Sequence, residues 1–230
     1  MAFTNSPLVS SGRKGHNIDT ITIHCAAAQA AVETLGRLFQ TKAASANYGI
    51  GADGRVGMYV EERNRSWATS DGENDRRAVT IEVACENRHP YRVNDAAYKT
   101  LLDLVTDICR RNDIKKLVWS TSKADRVNHK NGCNMTVHRD YENKACPGQW
   151  LYERHGQIAA EGNKRLTEDE EMVRWNKIED VPEGYREMAQ RYIDAGALKG
   201  KGNGEIDLSE DMIRVMEIMR RYFESMMEGK

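Results

Sequence analysis

Two histidines and a glutamate close three short runs of this chain: Thr22-Ile23-His24, Thr80-Ile81-Glu82 and Thr136-Val137-His138. Each run alternates apolar with polar residues, the period of a β-strand whose successive side chains point to opposite faces. Ile21, Ile23 and Cys25 share one face of the first run, and His24 lies opposite with Thr20 and Thr22. Val79, Ile81 and Val83 share one face of the second, with Thr80 and Glu82 opposite; in the third, Val137 and His138 point apart. If these strands are neighbours, two imidazoles and a carboxylate converge on the polar face of a sheet whose other face is hydrophobic core. Such a group can hold a Lewis-acid ion and take a proton from water, the chemistry of a metal-dependent hydrolase. His138 then leads through Arg-Asp-Tyr-Glu-Asn to Lys144, Ala145 and Cys146. With the Cys146 thiolate the histidines make a three-ligand set that leaves a fourth tetrahedral position for water or substrate. Lys144, two residues before Cys146 in an extended segment, points the same way and sets an ammonium beside the ion.

The elements that must position these groups are legible in the same pattern. Val32, Leu35 and Phe39 predict a helix after the first strand, and residues 48–60 a hairpin around Asp53-Gly54. Residues 64–77 are polar and rich in Gly and Asp, which predicts a surface loop. Ala97, Leu101, Val105 and Ile108 predict a helix over 95–112 with Asn94 as its N-cap. A fourth short strand is expected over 116–119 and a long polar loop over 120–134. Strands interleaved with helices give an α/β fold: a mixed central β-sheet flanked by helices, with the ion site on one face.

The expected domain organisation is a catalytic domain over 1–163, a charged linker over 164–174 and a small all-α C-terminal domain over 175–230. Within the C-terminal domain a first helix is expected over 182–195, a glycine-rich turn over 196–204, and a second helix capped by Ser209. Met212, Val215, Met216, Met219 and Phe223 line one face of that second helix and read as core filler. So small a unit is expected to dock or to form a homodimer through its helices.

The 230 residues carry a formal net charge of −1, so neither a nucleic-acid footprint nor a polybasic membrane patch is expected. No apolar stretch is long enough to span a bilayer. The opening MAFTNSPLVSSGRKGHN lacks the apolar segment of a secretory signal, so synthesis in a cytoplasm is expected. The five cysteines, an odd number without framework spacing, suit a reducing compartment; Cys25, Cys85 and Cys109 fall on core faces.

Four ordered stretches, ITIH at 21–24, SANYGIGADGRV at 45–56, TIEV at 80–83 and the His138 to Gly148 run, resemble the zinc-dependent type-2 N-acetylmuramoyl-L-alanine amidases. That group includes phage lysozyme-amidases, cytoplasmic anhydromuropeptide amidases and animal peptidoglycan recognition proteins. The resemblance covers residues 15 to 160 and is nearest to endolysins of phages that infect Gram-positive bacteria. It implies Zn2+ held by His24, His138 and Cys146, with Lys144 stabilising the oxyanion and Glu82 activating water. Some members use a tyrosine two residues upstream of the position of Tyr48; Ala46 stands there, which leaves the base role to Glu82. Peptidoglycan is the implied partner, with Trp67 and Asn47 as substrate-binding candidates. The implied reaction cleaves the amide between N-acetylmuramic acid and L-alanine, by an enzyme made in a host cytoplasm and acting on the cell wall after release. Residues 180–218 are similar to a single S-layer-homology hairpin, from a family that binds secondary cell-wall polymers. Two other functions fit some of the residues: a peptidoglycan-binding module without activity, and a cysteine-dependent wall hydrolase using Cys146 or Cys25 with His138.

Overall fold

The computed structural model describes residues 2–3, 6–171 and 173–228. Two compact units divide the chain, Met1–Leu166 and Thr167–Lys230.

The first unit opens with β1 (Ala2–Phe3), β2 (Val9–Ser10), β3 (Thr20–Cys25), α1 (Val32–Thr41), β4 (Tyr48–Ile50) and β5 (Val56–Met58). It continues through β6 (Arg65–Ser66), α2 (Gly72–Arg77), β7 (Ala78–Val83), α3 (Asp95–Arg111), α4 (Lys123–Val127), β8 (Met135–Thr136) and most of α5 (Gly148–Glu171), whose last residues belong to the second unit. Six strands form one mixed sheet in the order β1-β5-β4-β7-β3-β8. β3 runs parallel to both β7 and β8, and β4 pairs antiparallel with β5 and parallel with β7. The three runs that end in His24, Glu82 and His138 are therefore adjacent.

Alternation sorts the two faces as expected. Ile21, Ile23, Tyr48, Ile50, Val79, Ile81 and Val83 join one buried cluster with Ala97, Leu101, Val105 and Ile108 of α3 and Leu151 and Ile158 of α5. Burial of each large apolar side chain there stabilises the fold by about 1.5–3 kcal/mol. Asn94 starts α3 by accepting the Ala97 N–H at 2.9 Å, the expected cap. The opposite face is polar but dry: the Thr22 and Thr136 hydroxyls meet at 2.7 Å, Asn74 Nδ2 donates to Thr22 Oγ1 at 3.1 Å, and Thr136 Oγ1 donates to Asn74 Oδ1 at 2.8 Å. This closed ring satisfies every buried donor it contains, which the low local dielectric demands.

Several sequence expectations need correction. Residues 64–77 are not a surface loop; they contain β6 and α2, with Asn74 and Asp75 buried. α2 forms because Asp71 accepts the Asn74 N–H at 2.8 Å. Residues 116–119 form no strand; their backbone is satisfied by side chains instead, Leu117 N–H by Asn163 Oδ1 at 2.7 Å and Val118 N–H by Asn134 Oδ1 at 2.8 Å. The expected loop over 120–134 holds α4. The expected linker is helical to Glu171, its charges tied by the Arg165–Glu161 and Arg165–Asp103 pairs at 3.0 and 2.7 Å; residue 172 lies outside the described residues. His138 follows β8 rather than ending it, and begins a tight 3-10 turn, His138–Asp140.

That turn is held by a buried ion pair. Arg126 Nε and Nη2 donate to Asp140 at 2.7 and 2.5 Å, with both side chains at most 2% exposed. The guanidinium also lies 4.5 Å from the centroid of Trp119. Asp140→Ala would strand a buried cation, and we expect it to destabilise the chain by about 3–5 kcal/mol. A urea-unfolding midpoint unchanged from wild type would contradict that role, whereas Arg126→Met with Asp140→Leu should recover much of the loss.

In the second unit β9 (Arg174–Trp175) pairs antiparallel with β10 (Leu208–Ser209), beside α6 (Glu183–Asp194) and α7 (Glu210–Glu228). A two-stranded ribbon thus joins the expected helices. Gly196 ends α6 at φ +69°, a left-handed conformation that costs glycine nothing. Ser209 Oγ accepts the Met212 N–H at 3.2 Å and starts α7 as expected. Val181, Met188, Ala189, Leu208 and Ile213 form the unit's buried cluster. Most of the stripe read as core filler is not core: Met212, Val215, Met219 and Phe223 are exposed, and of its members only Met216 packs on the unit's cluster, beside Ile213. Among the described residues no helix is long and apolar enough to cross a membrane.

Candidate active site

His24 is the penultimate residue of β3, and parallel pairing sets it directly beside Glu82 on β7. Residues in register on adjacent strands share a face about 4.8 Å apart, so imidazole and carboxylate are neighbours. His138 enters from the turn after β8, and Cys146 from the loop before α5. One ligand atom from each of His24, His138 and Cys146 lies within 4.8 Å of the others. His24 Nδ1 is 3.4 Å from Cys146 Sγ, and the two imidazole rings meet edge to face with centroids 5.1 Å apart.

Two observations show that these donors fit a zinc ion. Two nitrogens and a sulfur are its preferred partners, and tetrahedral bond lengths put such donors about 3.5 Å apart, near the observed nitrogen–sulfur distance. Burial, opposed by the Glu82 carboxylate and aided by the nearby His138, lowers the His24 pKa and favours the neutral ring, the form that donates a lone pair.

His138 has a support of its own. Its Nε2 lies 3.2 Å from Glu142 Oε2, so this nitrogen donates and Nδ1 is left for the ion. Glu142 is held below the ordinary carboxylate range, first by a hydrogen bond from Ser70 and then by Lys144 and His138. Lys144 Nζ stands 3.6 Å from the same carboxylate. The expected ammonium therefore lies one residue's reach from the ligand cluster, tethered through Glu142.

Glu82 sits among groups that dry it. Burial raises its pKa, and the two histidines act in the opposite direction. Gly49 pairs with Glu82 on the side away from His24, and Gly57 pairs with Gly49. A Cβ at Gly49 would lie 2.6 Å from the Tyr59 ring and one at Gly57 2.9 Å from its hydroxyl, so two glycines make the bed in which Tyr59 lies. Tyr59 is buried and donates its hydroxyl to Val32 O at 2.7 Å. Its own pKa is raised by burial, with the charge of Glu82 among the further causes, which marks the ring as a wall of the site.

The two substrate-binding candidates fall outside this group. Asn47 is fully buried and occupied as a brace: its Nδ2 donates to Val60 O at 3.2 Å, and its Oδ1 accepts the Thr80 N–H at 3.1 Å. It has no free face for a ligand. Trp67 is 41% exposed, donates its indole N–H to Ser10 Oγ at 3.0 Å, and lines a cavity of about 190 Å3 with Arg65, Ser70 and Asp75. Ser70 connects that cavity to Glu142. Glu142 and Tyr59 were not singled out by sequence. The first has a local signal, an acid four residues after a histidine. The Cys25 thiol, expected in the core, hydrogen-bonds with Cys146, which raises its pKa.

A family model for N-acetylmuramoyl-L-alanine amidases matches residues 14–149, more than half of the 230. The chain belongs to the N-acetylmuramoyl-L-alanine amidase family. The amidase match contains His24, Glu82, His138, Lys144 and Cys146, and ends before the second unit begins. Among solved structures, a selenomethionine derivative of AmpD is 17% identical, with the likeness covering 69% of this chain and 93% of its own at a TM-score of 0.50. The Drosophila peptidoglycan recognition protein SA is 15% identical, covering 67% and 85% at a TM-score of 0.50. At such identities these likenesses establish the amidase fold. No curated protein matches the sequence.

Proposed function

We propose that this chain is a zinc-dependent peptidoglycan amidase, cleaving the bond between the lactyl group of N-acetylmuramic acid and L-alanine. One observation carries the reading: two imidazoles and a thiol brought within 4.8 Å, with a partly buried carboxylate on the neighbouring strand. His24, His138 and Cys146 would hold the ion, which when bound supplies Lewis acidity toward a carbonyl and makes water more acidic. Glu82 takes the proton of the attacking water on a carboxylate oxygen and delivers it to the departing L-alanine nitrogen. Tyr59 covers the flank of Glu82 and keeps bulk water from it, and the raised pKa that results favours proton capture. Glu142 fixes the His138 ring. Lys144 brings a cation to the same side, where charge develops on the carbonyl oxygen. The setting that goes with this chemistry is a phage-type lysin reaching the wall after release from its host's cytoplasm.

A thiol hydrolase has one supporting observation, the 3.4 Å contact between Cys146 Sγ and His24 Nδ1. The readings separate on purified peptidoglycan, by counting newly freed L-alanine amino groups with and without a chelator. The amidase releases them, loses more than about nine-tenths of its rate on chelation, and regains it with zinc. Release of reducing sugars instead, or a rate indifferent to chelator, would refute the proposal.

A further inference from the structure

α7 carries apolar residues on two sides. Ile213 points into the unit's own cluster, while Met212, Val215, Ile218, Met219, Tyr222, Phe223 and Met226 lie 40–66% exposed on the far side. At about 100° per residue these seven fall within an arc of about 140°, too wide and too continuous for scattered surface residues. Its middle line, Met212, Val215, Met219, Tyr222 and Met226, advances by three and four residues alternately, the spacing of a helix–helix seam. Together the seven leave on the order of 700 Å2 of mostly apolar surface open per chain, above the few hundred Å2 usual on a monomer.

We infer that this stripe is a self-association surface, and that its occupant is α7 of a second copy of this chain. Pairing two such stripes would remove up to roughly 1,400 Å2 from water, within reach of the size class of a stable interface. A single self-complementary stripe is what a two-fold symmetric pair requires. Charge argues against an anionic polymer or bilayer as occupant. The bordering Arg214 is paired with Glu210 at 2.6 Å, and Arg221 and Arg220 share Glu217 at 2.7 and 2.8 Å. α7 carries five acids against three arginines, a net negative helix. Two catalytic units per assembly would then meet a repeating polymer together, and the second contact would be effectively intramolecular.

Sedimentation velocity of the full-length chain over a concentration series tests this. Wild type should sediment at twice the chain mass in the micromolar range. Val215→Glu with Tyr222→Glu should raise the dissociation constant about 100-fold or more with far-UV circular dichroism unchanged. Met219→Lys alone, a milder change on the same line, should weaken it about tenfold and serves if the double variant misfolds. A wild type that stays monomeric at all concentrations overturns the inference. So do variants that dimerise like wild type, and so does a monomer that binds phosphatidylcholine–phosphatidylglycerol vesicles or isolated walls through this stripe.

Discussion

Glu82→Gln is expected to lower kcat on peptidoglycan about a thousandfold while leaving the metal content unchanged. The substitution keeps the shape and polarity of the side chain and removes only its capacity to accept a proton. Glu82 stands in register beside His24 but belongs to a different strand, and is not among the three clustered ligand donors. The consequence should therefore fall on kcat rather than on KM or on the ion. The acid limb of the kcat/KM profile, which reports protonation of the general base, should vanish with it. A variant that turns over within about tenfold of wild type would remove Glu82 from the mechanism. One that loses zinc would make it a support of the ion site instead.

Cys146→Ser should cost at least about a hundredfold in zinc affinity and about a thousandfold in rate, since a neutral hydroxyl is a poor substitute for a thiolate. The same loss would follow if Cys146 were a nucleophile, so Cys146→Asp provides the contrast. A carboxylate can bind zinc but cannot replace a sulfur nucleophile. The Asp variant should bind zinc and keep a measurable part of the rate, roughly one-hundredth or more. A Cys146→Asp protein that holds zinc yet is as inactive as the serine variant would favour the thiol hydrolase.

The residues at the centre of the site were legible because β-strand alternation is strict: a two-residue period fixes which face His24 and Glu82 take. Adjacency was not in that pattern. It follows from β3 lying between β7 and β8, a long-range pairing that no local window contains. Trp67 and Asn47 show the limit from the other side. Asn47 sits in a recognisable motif, but only the fold reveals that the backbones of the hairpin and of β7 use the two ends of its amide. Glu142 could have been found from its spacing to His138. Tyr59 could not, because its place depends on Gly49 and Gly57 being paired across two strands. The helical continuation to Glu171 was missed because this charged stretch has no apolar period to mark it. The apolar stripe of α7 was seen at the right positions, yet spacing alone does not say which side of a helix its own unit covers.

Whether the three clustered donors hold zinc can be read without any assay of turnover. Elemental analysis would be joined to zinc X-ray absorption on protein prepared in metal-free buffer and reloaded with zinc. One zinc per chain is expected, with a single sulfur at about 2.3 Å and two imidazole nitrogens at about 2.0 Å. The sulfur signal should disappear in Cys146→Asp. Cleavage by a protein without stoichiometric zinc, or by one whose zinc has no sulfur neighbour, would contradict the assignment.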